Sequence, residues 1–257
     1  MTTHRQARIR SLYRYPVKGL SAESLAAVEI GPQQTLPNDR AYALENGPSG
    51  FDPAAPAWQP KIKFLCWMKN ARLAALDTKF DDATETLTIR RGGETLLREN
   101  LTTEKGRAAV ETFFEDFMGE EKRGPIRLLR APGHSFSDLS KKVVSLINLE
   151  TVAALETQLG KPVHHLRFRA NVYFDGWPAW SEHGLVGQTI GIGTARAKVV
   201  KCTSRCGATE VNPATAARDI PIPEILLKTR DSLDLGIYAE IEAAGKFAEG
   251  DAVKILG

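Results

Sequence analysis

The chain of 257 residues carries 34 Lys and Arg against 31 Asp and Glu, 42% hydrophobic residues and three cysteines. That length supports one large domain or two modest ones, and the near-average composition excludes wholesale disorder and fibrous repeats. A net charge of +3 spread along the chain argues against a nucleic-acid or membrane-surface protein, and three cysteines cannot build a disulfide framework, which points to thiols in a reducing compartment.

The alternating stretch 7–13 reads as a first strand, and the basic, polar start of the chain lacks the apolar run of a secretory signal. No apolar run reaches the roughly 20 residues that span a bilayer. The expectation is a soluble, cytoplasmic protein. Residues 24–30, 40–44, 73–76, 86–90 and 94–97 read as further strands. The last two flank Gly92-Gly93, whose tolerance of positive φ suits a hairpin. A helix is expected over 103–118, capped by Thr102 or Thr103, with Val110, Phe113, Phe114 and Phe117 on one face.

A second unit starts near Gly124-Pro125, giving expected domains of 1–122 and 123–257. Strands at 126–130 and 143–147 lead into a helix from Asn148 or Leu149 to Leu159, stopped by Gly160. Strands at 172–174, 189–192, 195–200, 237–241 and 252–256 follow, with frequent glycine turns. The pattern is α+β but mainly β, barrel-like with a few helices.

The most unusual segment is Lys201-Cys202-Thr203-Ser204-Arg205-Cys206, where two cysteines stand among cations. A thiolate is the nucleophile and the metal ligand, and neighbouring cations favour it. The C-x3-C spacing fits neither a thioredoxin-like motif nor half of a zinc ribbon, so a structural cysteine and a functional one remain open on spacing alone. Lys18, Arg40 and Arg169 each stand at a loop–strand junction, a placement that suits an anionic ligand such as a phosphate if they face one cleft. His164 and His165, adjacent in an extended chain, point apart and make a poor chelating pair. Trp177 and Trp180 read as packing residues, and Cys66, in an apolar run, as core. The chain has no G-x-S-x-G and no H-E-x-x-H, which removes the usual serine hydrolase and zinc protease readings.

Five ordered segments carry a resemblance. They are Tyr15-Pro16-Val17-Lys18-Gly19, Asn38-Asp39-Arg40, Phe168-Arg169-Ala170-Asn171, Ser204-Arg205-Cys206 with Thr209 and Asn212-Pro213, and Gly250-Asp251-Ala252-Val253. Together they resemble the MOSC family, named for the C-terminal domain of molybdenum-cofactor sulfurase, preceded by its N-terminal β-barrel domain. The nearest functional group in that family is the amidoxime-reducing molybdoenzymes. The resemblance implies a molybdenum cofactor (Mo-molybdopterin) in a cleft between the two units, with Cys206 as thiolate ligand to the metal. It implies that Lys18, Arg40 and Arg169 hold the pterin phosphate, that Asn171 bonds the pterin or phosphate, and that Ser204 and Arg205 orient the ligand loop. Family analogy also brings in pyridoxal phosphate binding.

The implied activity is reduction of N-hydroxylated small molecules. With no iron–sulfur cysteine set following Gly257, electrons are expected from a separate flavin, haem or iron–sulfur donor protein. The alternative is a cofactor carrier or sulfur-transfer module with a persulfide on Cys206 or Cys202; a binding domain without turnover is the plainer third reading. Two departures stand out. Gly19 replaces a serine common in amidoxime reducers, so one phosphate contact falls to the backbone. The 136–142 segment is long, leaving Lys141, Lys142 and Ser145 as unaligned candidates for phosphate contact.

Overall fold

Alternating burial along Arg8–Arg14, with Ile9 and Leu12 inward and Arg8 and Arg10 outward, makes the first strand, β1. The computed structural model describes residues 6–256; the first five residues of the basic N-terminal segment and Gly257 lie outside the described residues. After β1 come β2 (Glu23–Leu25), β3 (Ala27–Ile30), β4 (Tyr42–Asn46), β5 (Asp77–Asp81), β6 (Thr86–Arg91), β7 (Glu94–Asn100), α1 (Glu104–Met118) and β8 (Ile126–Arg130). The second half supplies β9 (Val144–Asn148), α2 (Leu149–Leu159), β10 (Val172–Asp175), β11 (Thr189–Ile192), β12 (Ala195–Ser204), α3 (Ile222–Arg230), β13 (Asp234–Ala243), β14 (Gly245–Ala248) and β15 (Val253–Ile255).

The largest sheet runs β15-β11-β12-β13-β9-β10-β1-β2. Only β9 and β10, joined through α2, are parallel within it. The sheet curls until β1 meets the β15 end: Arg8 bridges Ala252, the Ile9 amide donates to the Asp251 carbonyl at 2.9 Å, and the Val253 amide donates to the Ala7 carbonyl at 2.9 Å. Inside lie Ile9, Leu146, Val172, Phe174, Ile190, Val199, Ile237 and Ile241, all buried. These are alternate residues of the staves, as a filled small barrel requires. The outer face of β9 and β10 presents Ile147 and Tyr173 to α2 and α3 through Leu155 and Leu226.

The other core belongs to the first half. α1 begins at Thr103, whose hydroxyl accepts from the Gly106 amide at 3.0 Å. It buries Val110, Phe114 and Met118 with Leu87 and Ile89 of the β5-β6-β7 sheet. Gly106 lies so close to the Asn100 carbonyl that a Cβ would collide with it. β8 hydrogen-bonds antiparallel to β4 and puts Ile126 and Leu128 into this core, although it follows Gly124-Pro125.

Several expectations need correction. Residues 73–76 are not a strand; Ala71–Ala75 form a 3-10 turn, and the strand is β5, where Thr78 and Phe80 alternate inward. The strand expected at 24–30 breaks into β2 and β3. The strand expected from Arg40 starts at Tyr42, because Asn38 and Arg40 adopt positive φ in a turn. His164 and His165 do not point apart: a 3-10 turn stacks their rings with centroids 5.3 Å apart. Trp177 and Trp180 pack against the barrel and the α2–α3 layer, as expected. No helix among the described residues is long and apolar enough to cross a membrane.

Candidate functional site

One cleft gathers residues from both halves. From the first half come Lys18 and Gly19 in the turn after β1, Arg40 in the turn before β4, and Lys61, Cys66, Trp67 and Met68. From the second come Asp138, Ser145, Arg167, Arg169, Asn171, the end of β12 through Cys206, Thr209 and Tyr238. The cleft encloses about 920 Å³, its solvent-filled mouth included. Lys18, Arg40, Asn171, Arg169, Ser204, Arg205 and Cys206, the seven residues singled out in the sequence, all line it. Among its lining residues six are Lys or Arg and only Asp138 is acidic, so the local charge is far more positive than the chain's +3.

Cys206 lies two residues beyond the end of β12 and caps the short turn Gly207–Glu210, its carbonyl held by the Thr209 amide and hydroxyl, each at 3.0 Å. Its Sγ accepts from Lys61 Nζ at 3.2 Å. Lys61 also reaches Asp138 at 3.3 Å, and Asp138 takes a 2.6 Å bond from Lys18, which donates in addition to the Phe136 carbonyl. Burial works against the Lys61 charge, but Asp138 and the Cys206 sulfur outweigh it and hold the ammonium above the ordinary lysine range. Enclosure works to raise the Asp138 carboxyl, and Lys18 and Lys61 overcome it, holding that carboxyl well below the ordinary aspartate range.

Arg40 and Arg169 share a backbone peculiarity: both sit at positive φ, +53° and +51°. A non-glycine residue there costs roughly 1–2 kcal/mol, and such strain collects at functional sites. Arg40 pairs with Asp39 and donates to the Arg169 carbonyl at 2.9 Å. Among the described residues Arg169 has no acidic partner. Its guanidinium lies 4.4 Å from the Tyr15 ring centroid and 4.6 Å from that of Trp67, and its Nη1 is buried without an acceptor. Burial, with Arg40 nearby adding to it, lowers its pKa to about 10.

Two of the residues singled out in the sequence spend their polar atoms inside the protein. The Asn171 carbonyl oxygen accepts from the Ser145 amide and hydroxyl at 3.1 and 2.8 Å, while its amide donates to the Tyr13 carbonyl at 3.1 Å. Arg205 donates through Nε to the Leu235 carbonyl at 2.7 Å and through Nη1 to the Phe168 carbonyl at 3.0 Å. Buried, and without a carboxylate partner among the described residues, Arg205 pins the Cys206 loop to the turn that carries Arg169. Lys141 is exposed and pairs with Glu240, Lys142 lies outside the cleft, and Ser145 serves Asn171. Cys202 packs on the barrel core, away from the cleft. Cys66 is buried as expected, yet it also lines the cleft.

Sequence reasoning missed Lys61 and Trp67. Neither stands at a strand junction, and both lie far along the chain from Cys206; only the fold joins them. Gly19, at φ +82°, faces Leu65, whose carbonyl oxygen would lie 2.6 Å from a Cβ. Among the described residues, no three His, Cys, Asp or Glu side chains gather as a metal cluster.

The sequence profile of the MOSC N-terminal beta barrel domain matches residues 6–123, and that of the MOSC domain matches residues 131–254. Between them they account for nearly the whole chain, which therefore belongs to the MOSC domain family. The solved structure of YuaD from Bacillus subtilis is similar over 97% of this chain and 95% of that one, at 12% identity and a TM-score of 0.46. YiiM from Geobacillus stearothermophilus (19% identity, TM-score 0.36) and YiiM from Escherichia coli (14%, 0.33) each match 44% of this chain. The match spans about half the length of the YiiM proteins, 54% of each. No curated protein matches the chain.

Proposed function

We propose that this chain is a molybdenum-cofactor-binding oxidoreductase that reduces N-hydroxylated small molecules with electrons from a separate donor protein. The observation that carries the reading is Arg169: a guanidinium without a carboxylate, in a cleft lined by five further cations and one half-exposed thiol. A buried cation left unpaired is expensive, and a phosphate-bearing ligand in the cleft would pair it. The donor set suits the pterin cofactor, since its dithiolene holds most of the metal's coordination and a single protein thiolate is enough. The lack of a multi-ligand metal cluster is therefore no obstacle.

In this reading Cys206 supplies the thiolate, with Lys61 fixing the sulfur. Arg169, Arg40 and Lys18 supply the positive field for the phosphate. Asn171 and Arg205 act at one remove: Asn171 ties β9 to the turn before β10, and Arg205 ties that turn to the Cys206 loop. When bound, the cofactor supplies the two-electron chemistry that removes oxygen from an N–OH group; the chain supplies the cleft that orients the substrate. The same cations suit the phosphate of pyridoxal phosphate, and metal analysis separates the two ligands.

The test is expression in a host with a working cofactor pathway, followed by molybdenum and pterin analysis and an N-hydroxy reduction assay with an artificial or natural electron donor. Near-stoichiometric molybdenum with turnover is expected. Absence of both metal and pterin from the purified protein sinks the reading, and a persulfide on Cys206 in their place favours a sulfur carrier.

A further inference from the structure

The cation that most needs a ligand is flanked by a side chain with the same need. Trp67 is 5% exposed, its ring centroid lies 4.6 Å from the Arg169 guanidinium, and its indole Nε1 has no hydrogen-bond partner among the described residues. A buried N–H left unpaired costs about 1–3 kcal/mol, and native proteins rarely leave two such donors side by side. Here Trp67 Nε1 and Arg169 Nη1 are both orphaned, on side chains in contact. Tyr15, fully buried, also packs against the guanidinium, its ring centroid 4.4 Å from the Arg169 carbon and its hydroxyl donating to the Ala170 carbonyl at 3.1 Å.

The backbone of Trp67 is equally fixed. Its carbonyl and that of Met68 each accept from Arg218 Nη2 at 2.8 Å, and the same guanidinium donates to the Gly207 carbonyl beside Cys206. Trp67, Arg169 and Tyr15 also line a neighbouring surface pocket, so the stack stands between it and the cleft.

We propose that Trp67 is a second hydrogen-bond donor to the oxyanion that Arg169 binds, and that the Tyr15 and Trp67 rings hold that guanidinium in position. The ligand is an oxyanion of phosphate type: a donor pair of one guanidinium N–H and one indole N–H offers two bonds and one positive charge, with the rings preventing the guanidinium from turning away. The proposal extends the cofactor reading, in which the oxyanion is the pterin phosphate. It holds equally for free phosphate.

The experiment uses the full chain made in a host unable to synthesise the cofactor, titrated calorimetrically with inorganic phosphate. Two variants divide the roles: Trp67→Phe keeps a ring and loses the N–H, and Trp67→Leu loses both. Loss of one hydrogen bond is expected to weaken phosphate binding by roughly three- to tenfold in Trp67→Phe, and Trp67→Leu is expected to weaken it further. Circular dichroism and melting curves establish that both variants are folded. Trp67→Phe binding phosphate as tightly as the parent overturns the donor role. Trp67→Leu binding as tightly as Trp67→Phe overturns the positioning role, and no measurable binding by the parent overturns the oxyanion site. A parallel preparation from a cofactor-competent host separates this proposal from the cofactor reading: phosphate effects as expected, with no pterin retained, would leave the site standing and remove the cofactor.

Discussion

Lys61 Nζ stands 3.2 Å from Cys206 Sγ, joining a turn of the first half of the chain to the strand end that carries the candidate ligand. The contact fixes the sulfur from the opposite wall of the cleft, and Asp138 ties the same ammonium to Lys18. Two residues 145 positions apart thus act as one unit.

The cofactor reading predicts different outcomes for the two neighbouring cysteines. Cys206→Ser is expected to lose N-hydroxy reduction and to retain little molybdenum, whereas Cys202→Ser, outside the cleft, keeps activity within about twofold of the parent. Lys61→Met, which removes one charge-assisted bond, is expected to lower turnover by about tenfold. Metal content by mass spectrometry and steady-state assays check all three.

Asp138 gives the cleft a pH dependence with a defined sign. Its carboxyl is held below the ordinary value in the folded chain, so the unfolded chain takes up the proton first as pH falls. The contribution is therefore full above about pH 5 and is lost as pH drops through and below about 4. Asp138 is 43% exposed, so solvent screening keeps the effect small. Melting temperatures between about pH 3 and 6 are expected to fall less steeply for Asp138→Asn than for the parent.

Arg205 is expected to matter for folding before it matters for ligand. Arg205→Ala leaves the Leu235 and Phe168 carbonyls without their donor, and a destabilisation of about 3 kcal/mol is expected. Arg205→Lys recovers only part of it, because an ammonium cannot span both carbonyls as the planar fork does. Chemical denaturation measures both.

Gly19→Ser would restore the residue common in amidoxime reducers, yet here it is expected to harm. The positive φ alone costs about 1–2 kcal/mol, and the added Cβ would press on the Leu65 carbonyl. A lower melting temperature with no gain in cofactor retention is the expected result.

The elements legible in the sequence were those with strong local signals. Thr103 with its apolar stripe announced α1, Asn148 and Gly160 bracketed α2, and Gly92-Gly93 marked the β6–β7 hairpin. α3 went unread because Pro221 and Pro223 look like breakers, although proline is tolerated in a first helical turn. β14 is too short to show a period. In the site, residues carried by local motifs converged on one cleft, while Lys61 and Trp67 depended on the docking of distant segments. The motif also conceals that Asn171 spends its polar atoms on Ser145 and the Tyr13 carbonyl, which no residue pattern reveals.

The meeting of Arg8 with Ala252 also bears on how the molecule can be taken apart. A fragment starting at residue 131 would carry the second sequence profile but lack a stave of its own barrel, leaving β10 with an open edge that invites aggregation. A fragment ending at residue 123 would lose β8, the partner of β4. Each profile therefore marks a stretch whose sheets draw a strand from outside its own bounds.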